Sequence, residues 1–300
     1  MKDFPIPVVA QGRPLFGAGS QTDVGADFSF MPISAEVTPF AMPRVPEAVD
    51  LGALAGARDL LAAFVAGLEA APQRPLDLAA APPAVIEVLN QTLGEGEVSI
   101  RIMRGNGTRS EIRIQESVFA GIWRERHCDA AGRPVHDYLL AASIPAVAAE
   151  AAERGSTPVI PALEIPAGAM NAPVLLNELR AAVASHKAGE LPHVINLTLL
   201  PLTPEDHALL ERAAPVAGVA ILSRGFGNCR VTSTTVRNLW RVQYFNSMQT
   251  LILNTLEVTR MPEVVLAAPD DLADSRKRLR ELLDWMDDDL AAATRRAGQA

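Results

Sequence analysis

Cysteine is nearly absent from this 300-residue chain, which has only Cys128 and Cys229. Two thiols cannot build a disulfide framework, and they suit a reducing compartment. Positive charge is also scarce: the formal net charge is −8 and the pI about 5.2. That balance argues against nucleic-acid binding, which needs a basic face to displace counterions. Long apolar runs are missing too. The most hydrophobic spacer, Pro158 to Leu176, is cut by Pro161, Pro166 and Pro173 and carries Glu164, so it cannot form a membrane helix. The opening MKDFPIPVVAQGRPLF has no cationic start followed by an unbroken apolar core, so no export signal is expected and the chain is read as cytoplasmic. No Walker loop, Gly-x-Ser-x-Gly elbow or His-Glu-x-x-His motif occurs.

About half of the residues are apolar, enough for a sizeable core. Residues 1–44 read as a Pro/Phe-rich arm, either a strap onto the body or a partner-binding segment. Helical spacing follows over Leu51 to Ala71 and Pro83 to Leu93, with a Pro-bounded short strand between them. Three β-type runs come next: Val98–Met103, Ile112–Arg126 and Asp137–Ser143, then a helix over Ala146–Glu153. The order recurs downstream. A helix opens at Asn171-Ala-Pro, His193–Leu200 reads as a strand, and Thr203-Pro-Glu-Asp starts another helix with capping-box spacing. The β-type runs Val219–Ser223, Cys229–Phe245 and Thr250–Val258 follow, and a long amphipathic helix from about Asp270 closes the chain.

From Arg113 to about Ala152 an offset of 117 residues superposes the first copy on the second without a gap, bringing Arg113 onto Arg230, Trp123 onto Trp240 and Pro145 onto Pro262. A three-residue gap in the preceding loop also brings Arg104-Gly-x-Gly onto Arg224-Gly-x-Gly. The expected fold is therefore α+β: an internally duplicated helix–strand–helix–β–β–β–helix module, with mixed or antiparallel sheets and helices packed on them. The expected boundaries are 45–153 and 154–300, with the densest signal over 219–279. Two such copies are expected to pack about a pseudo-twofold axis.

No nucleophile–base pair emerges, so the chain is not read as an enzyme, and no cofactor or metal is expected. Gly225-Phe-Gly-Asn-Cys229 lacks the third glycine of a dinucleotide loop and leads into a strand. His127, Cys128 and His136 share a hairpin, but their counterparts Tyr244, Phe245 and Leu253 cannot ligate. The residues expected to face a partner are Glu95, Glu97, Phe119, Trp123, Phe226, Cys229 and Trp240. The two tryptophans also suit a core-anchoring role.

Several segments resemble the HupH/HyaF family of hydrogenase expression proteins. They are TLGEGEVSIRI, IQESVFAGIWR, INLTLLPLTPED, ILSRGFGNCRVTST, NLWRVQYFNSM, LNTLEV and MPEVVLAAPDDLADSRKRL. The resemblance covers nearly the whole chain in the right order. It implies a cytoplasmic accessory chaperone for an uptake nickel–iron hydrogenase, acting on the iron–sulfur small-subunit precursor before twin-arginine export. It brings no catalytic residues. The alternatives are a redox or metal-centre delivery factor using Cys229 and Cys128, and a scaffold contacting the large subunit.

Overall fold

The computed structural model describes residues 50–69, 74–103, 110–225 and 227–297. The expected arm, the Gly105–Gly107 loop and Phe226 lie outside the described residues. Six helices and ten strands are described. In the first half these are α1 (Leu51–Gly67), β1 (Leu76–Asp77), α2 (Pro83–Leu93), β2 (Val98–Met103), β3 (Glu111–Glu116), β4 (Ile122–Cys128), β5 (Pro134–Ala141) and α3 (Ala146–Glu153). The second half has α4 (Ala172–Ser185), β6 (His193–Asn196), α5 (Pro204–Ala213), β7 (Val216–Ser223), β8 (Asn228–Thr234), β9 (Leu239–Phe245), β10 (Leu251–Val258) and α6 (Pro269–Ala297). A short 3-10 turn, Glu263–Val265, stands where α3 stands in the first half.

Local chemistry sets many of the boundaries. The Asp50 carboxylate accepts from Gly52 N at 3.2 Å to open α1, and Pro82–Pro83 opens α2. Thr203 and Asp206 form the expected capping box on α5. The two longest β-type runs are each a hairpin, not one strand. Gly121 at φ 75° and Asn238 at φ 60° turn the chain, so Trp123 and Trp240 begin second strands instead of ending long ones. The Pro262 segment forms only the 3-10 turn, and the final helix starts at Pro269.

All ten strands form one antiparallel sheet in the order β1-β5-β4-β3-β2-β7-β8-β9-β10-β6; of the expected mixed or antiparallel arrangement, the antiparallel one is found. The order reads the same from both ends once each strand is replaced by its copy. Register agrees with the 117-residue offset: Glu116 opposes Trp123 as Ser233 opposes Trp240, and Trp123 opposes Leu140 as Trp240 opposes Glu257. Ile100 opposes Ile114 and Ile221 opposes Val231, which makes the offset 121 for the preceding strand. The loop difference is therefore four residues, where the Arg104/Arg224 alignment used three. The halves meet where β2 pairs with β7, and there Ile100 faces its own copy, Ile221. A pseudo-twofold axis normal to the sheet runs between these two residues.

Period-2 alternation divides the core by face. On the back face a single cluster spans the axis, with Ile100, Ile114, Trp123, Ile221, Val231 and Trp240 beneath Ala148 and Val265. The front face carries two separate clusters. Helices α1, α2 and α6 cover Ile122 and Leu139, whereas α4 and α5 cover Leu239, Leu256 and Val258. Helix α6 therefore belongs by packing to the first half, although it follows the second in sequence. Leu279, Leu282 and Met286 sit in the first-half cluster, and Arg58 clasps Asp287 at 2.7 Å.

Candidate functional site

Between the two front-face clusters the central strands carry polar side chains. Arg101, Arg113 and Arg126 stand directly opposite one another on β2, β3 and β4. Aligned like charges repel, and the buried Glu111 carboxylate offsets part of that repulsion. The Glu111 carboxylate accepts from Arg101 at 2.8 Å and from Arg113, while Asp137 accepts from Arg124 at 2.6 and 2.8 Å. Burial alone would raise the pKa of Glu111. The two arginines overcome that, and its carboxyl is held below its usual range. The copies of Arg126, Asp137 and Glu111 are Gln243, Asn254 and Asn228, so the second half of this band loses both carboxylates. Arg230 and Arg241 stay there, Arg230 over the Phe245 ring at 5.2 Å and buried Arg241 beside Glu211 of α5 at 3.5 Å.

At one end of the central strand pair, Gly94–Glu97 and Arg224–Gly225 lie side by side. Arg224 N donates to Glu97 O at 3.1 Å, and the Arg224 guanidinium donates to Gly96 O at 3.1 Å. A Cβ on Gly225 would come within 2.0 Å of the Glu97 carboxylate, so glycine is what lets that side chain close over the loop. Glu95 and Glu97 are both exposed here.

The other expected partner-facing residues sit elsewhere. Phe119, Trp123, Cys229 and Trp240 are all at most 3% exposed and pack in the core. Trp123 Nε1 donates to Ala142 O and Trp240 Nε1 to Arg260 O, each fixing the turn after its hairpin partner. These four shape a surface from beneath and cannot touch a partner. Cys229 sits in the back-face core, and burial pushes its thiol up to about 12 despite a hydrogen bond with Tyr244. It is thus a poor source of thiolate. Cys128 is buried four strands away, roughly 19 Å at ordinary strand spacing, so the two cannot bridge. His127 Nε2 is held by Glu125 at 2.6 Å and packs edge-on to His136 and Tyr138. Among the described residues no three metal-ligating side chains converge, and no helix is long and apolar enough to cross a membrane.

What sequence reasoning missed is a concentration of exposed apolar side chains on the second half. Met170, Val174, Leu191, Val194, Leu199 and Ile252 are all about half exposed or more. Hydrogen bonds tie these segments together: Asn171 Nδ2 donates to Pro201 O, Asn254 N to Thr198 Oγ1, and Glu178 on α4 holds His193 on β6. Side-chain exposure at an edge strand depends on strand order, which no local pattern reveals.

The conserved C-terminal region of the HupH hydrogenase expression proteins matches this chain in two spans, residues 53–156 and 169–286, one in each half of the sheet. The chain belongs to the HupH hydrogenase expression protein family. Similar relatives include the hydrogenase expression/formation protein HoxQ of Cupriavidus necator, 42% identical over 95% of this chain and 99% of that one. HupH of Rhodobacter capsulatus is 38% identical over 95% of this chain and 98% of its own length. The hydrogenase-1 operon protein HyaF of Escherichia coli is 37% identical over 66% of this chain and 68% of its own. Among solved structures, the hydrogenase expression protein HupH from Thiobacillus denitrificans is 27% identical, with TM-score 0.32, covering 36% of this chain and 91% of that one. The HupH match supports the duplication by falling in two spans that follow the two halves.

Proposed function

We propose that this protein is a cytoplasmic accessory chaperone of hydrogenase maturation, which holds the iron–sulfur small-subunit precursor before its export. The observation that carries the reading is end-to-end similarity to proteins named for hydrogenase expression and formation. The molecule's chemistry fits a binder. Arg101, Arg113 and Arg124 are ion-paired with Glu111 and Asp137, and the second half presents apolar side chains to solvent, as a partner-binding surface does. Negative net charge also suits a precursor with a basic leader.

Affinity purification of the tagged chain from cells lacking one or the other hydrogenase subunit tests the proposal. The small-subunit precursor is expected to co-purify without the large subunit. Recovery of the large subunit alone would overturn it in favour of a scaffold. The redox alternative has its own test: C128S/C229S is expected to support full hydrogenase activity in aerobic cells, because Cys229 is a buried, protonated thiol with no partner cysteine in reach.

A further inference from the structure

The two edges of the sheet are built differently. At one edge β1 has only two residues, Leu76 and Asp77, with Pro75 before it and Pro82–Pro83 soon after. Brevity blunts an edge against further pairing. At the other edge β6 is preceded by Pro192 as β1 is by Pro75, but it is twice as long, and among the described strands it pairs with β10 alone. In an antiparallel ladder alternate residues point N–H and C=O away from the partner, so β6 turns part of its backbone outward.

The surroundings of the two edges differ in the same sense. Helix α1 is covered by both α2 and α6, whereas α4 packs on α5 and β10 and, among the described residues, has no counterpart of α6 over it. Val174 on α4 lies one turn before Glu178, which holds His193 of β6 at 2.8 Å. Val194 on β6 faces the back of the sheet at 48% exposure, and Leu191 and Leu199 flank the strand at 92% and 79%. An open backbone ladder rimmed by apolar side chains fits one kind of occupant, an extended apolar polypeptide segment. The chain joins its own halves by the same antiparallel addition, at β2 and β7.

We infer that β6 is a docking edge where an extended apolar segment of a client polypeptide adds as an eleventh strand, with Val194, Leu191 and Leu199 gripping its side chains. This rests on the chaperone reading and names the surface it would use. The test uses the full-length chain and two probes, the hydrogenase small-subunit precursor and reduced, carboxymethylated lactalbumin as a permanently unfolded apolar chain. The variant Val194→Lys/Leu199→Glu places charge at the edge, and Val135→Lys on β5 is the control near the blunted edge. Both probes are expected to bind the double variant about tenfold more weakly, with its thermal midpoint and the control unchanged. Amide exchange at residues 193–196 of the unsubstituted chain is expected to slow when either probe is bound, a readout that survives if the variant misfolds. Precursor bound equally by variant and parent, or no slowing at 193–196, would overturn the edge and leave the chaperone reading standing. Capture of lactalbumin alone, lost in the variant, would keep the edge and remove the small subunit as client. Failure of the parent chain to bind either probe overturns the inference, as does a concentration-dependent dimer abolished by the variant, since the occupant would then be a second copy.

Discussion

The two halves of the sheet share order, register and a tryptophan anchor, yet they differ in what they show to solvent. The first half is sealed: its front cluster is roofed by α6, its edge is blunted, and its polar band is a set of paired charges. The second half gives up most of those charges and, among the described residues, has no third helix over its front cluster and ends in an open, apolar-rimmed strand. Duplication doubled the scaffold, and the difference between copies marks which features the scaffold does not require. Trp123 and Trp240 serve both halves and so belong to the fold, whereas the exposed rim of β6 has no counterpart at β1.

If the equivalence is real, Trp123→Ala and Trp240→Ala should each cost about 3–5 kcal/mol in urea unfolding, because both rings are buried in the same back-face cluster. A cost confined to one of them would break the symmetry. The next largest effect should separate the halves. Buried Asp206 accepts from the backbone N–H groups of Met170, Asn171, Ala172 and Thr203, tying the start of α4 to that of α5; the 121-residue offset that holds for the following strand places Val85 at its counterpart. Asp206→Ala should cost roughly 3 kcal/mol by stranding these donors. Burial opposes the charge, but the four N–H donors outweigh it and hold the Asp206 carboxyl below its ordinary value. A depressed carboxyl contributes stability above the unfolded pKa, about 3.9, and that stability fades as pH falls through the lower folded value. The melting temperature of Asp206→Asn should accordingly fall less steeply below about pH 4 than that of the parent.

Smaller effects probe the junction and the polar band. A Cβ on Gly96 would meet the Ser117 carbonyl at 2.1 Å, a backbone atom that cannot yield, whereas one on Gly225 meets only the movable end of Glu97. Gly96→Ala should cost about 2 kcal/mol in chemical denaturation and Gly225→Ala less than about 1. Equal costs would show that the Glu97 carboxylate is held as firmly as backbone. The smallest change is expected from Glu111→Gln. With Arg101 and Arg113 left opposed, it should lose about 1 kcal/mol at low ionic strength and recover part of that in salt.

Much of this fold was legible in the sequence, because helix starts carry proline and capping residues and the duplication fixes the order of elements. Register within each half was legible too, since Trp123 and Trp240 align at the same offset. Other features were hidden for physical reasons. The runs ending in Arg126 and Phe245 hide their turns because residues 117–121 carry mostly apolar side chains, and Asn238 alone marks the second turn. That β2 meets β7 to make one sheet depends on tertiary pairing that no local pattern encodes. Of the expected partner-facing residues that are described, only Glu95 and Glu97 are placed in solvent; an aromatic in a hairpin reads alike whether it anchors a core or a partner. The exposed rim around β6 was illegible because its side chains look like core in sequence and become surface only because no described helix covers them.

Helix α6 has one further consequence, for the order in which the molecule can be completed during synthesis. It is the last described element of the chain, yet Leu279, Leu282 and Met286 close the first half's front cluster against α1. A nascent chain emerging from the ribosome can form α1, α2 and their strands early, but their apolar front stays uncovered until translation reaches the end. Premature termination before Pro269 would thus strip the roof from residues made two hundred positions earlier, and damage at one terminus would be felt as instability at the other.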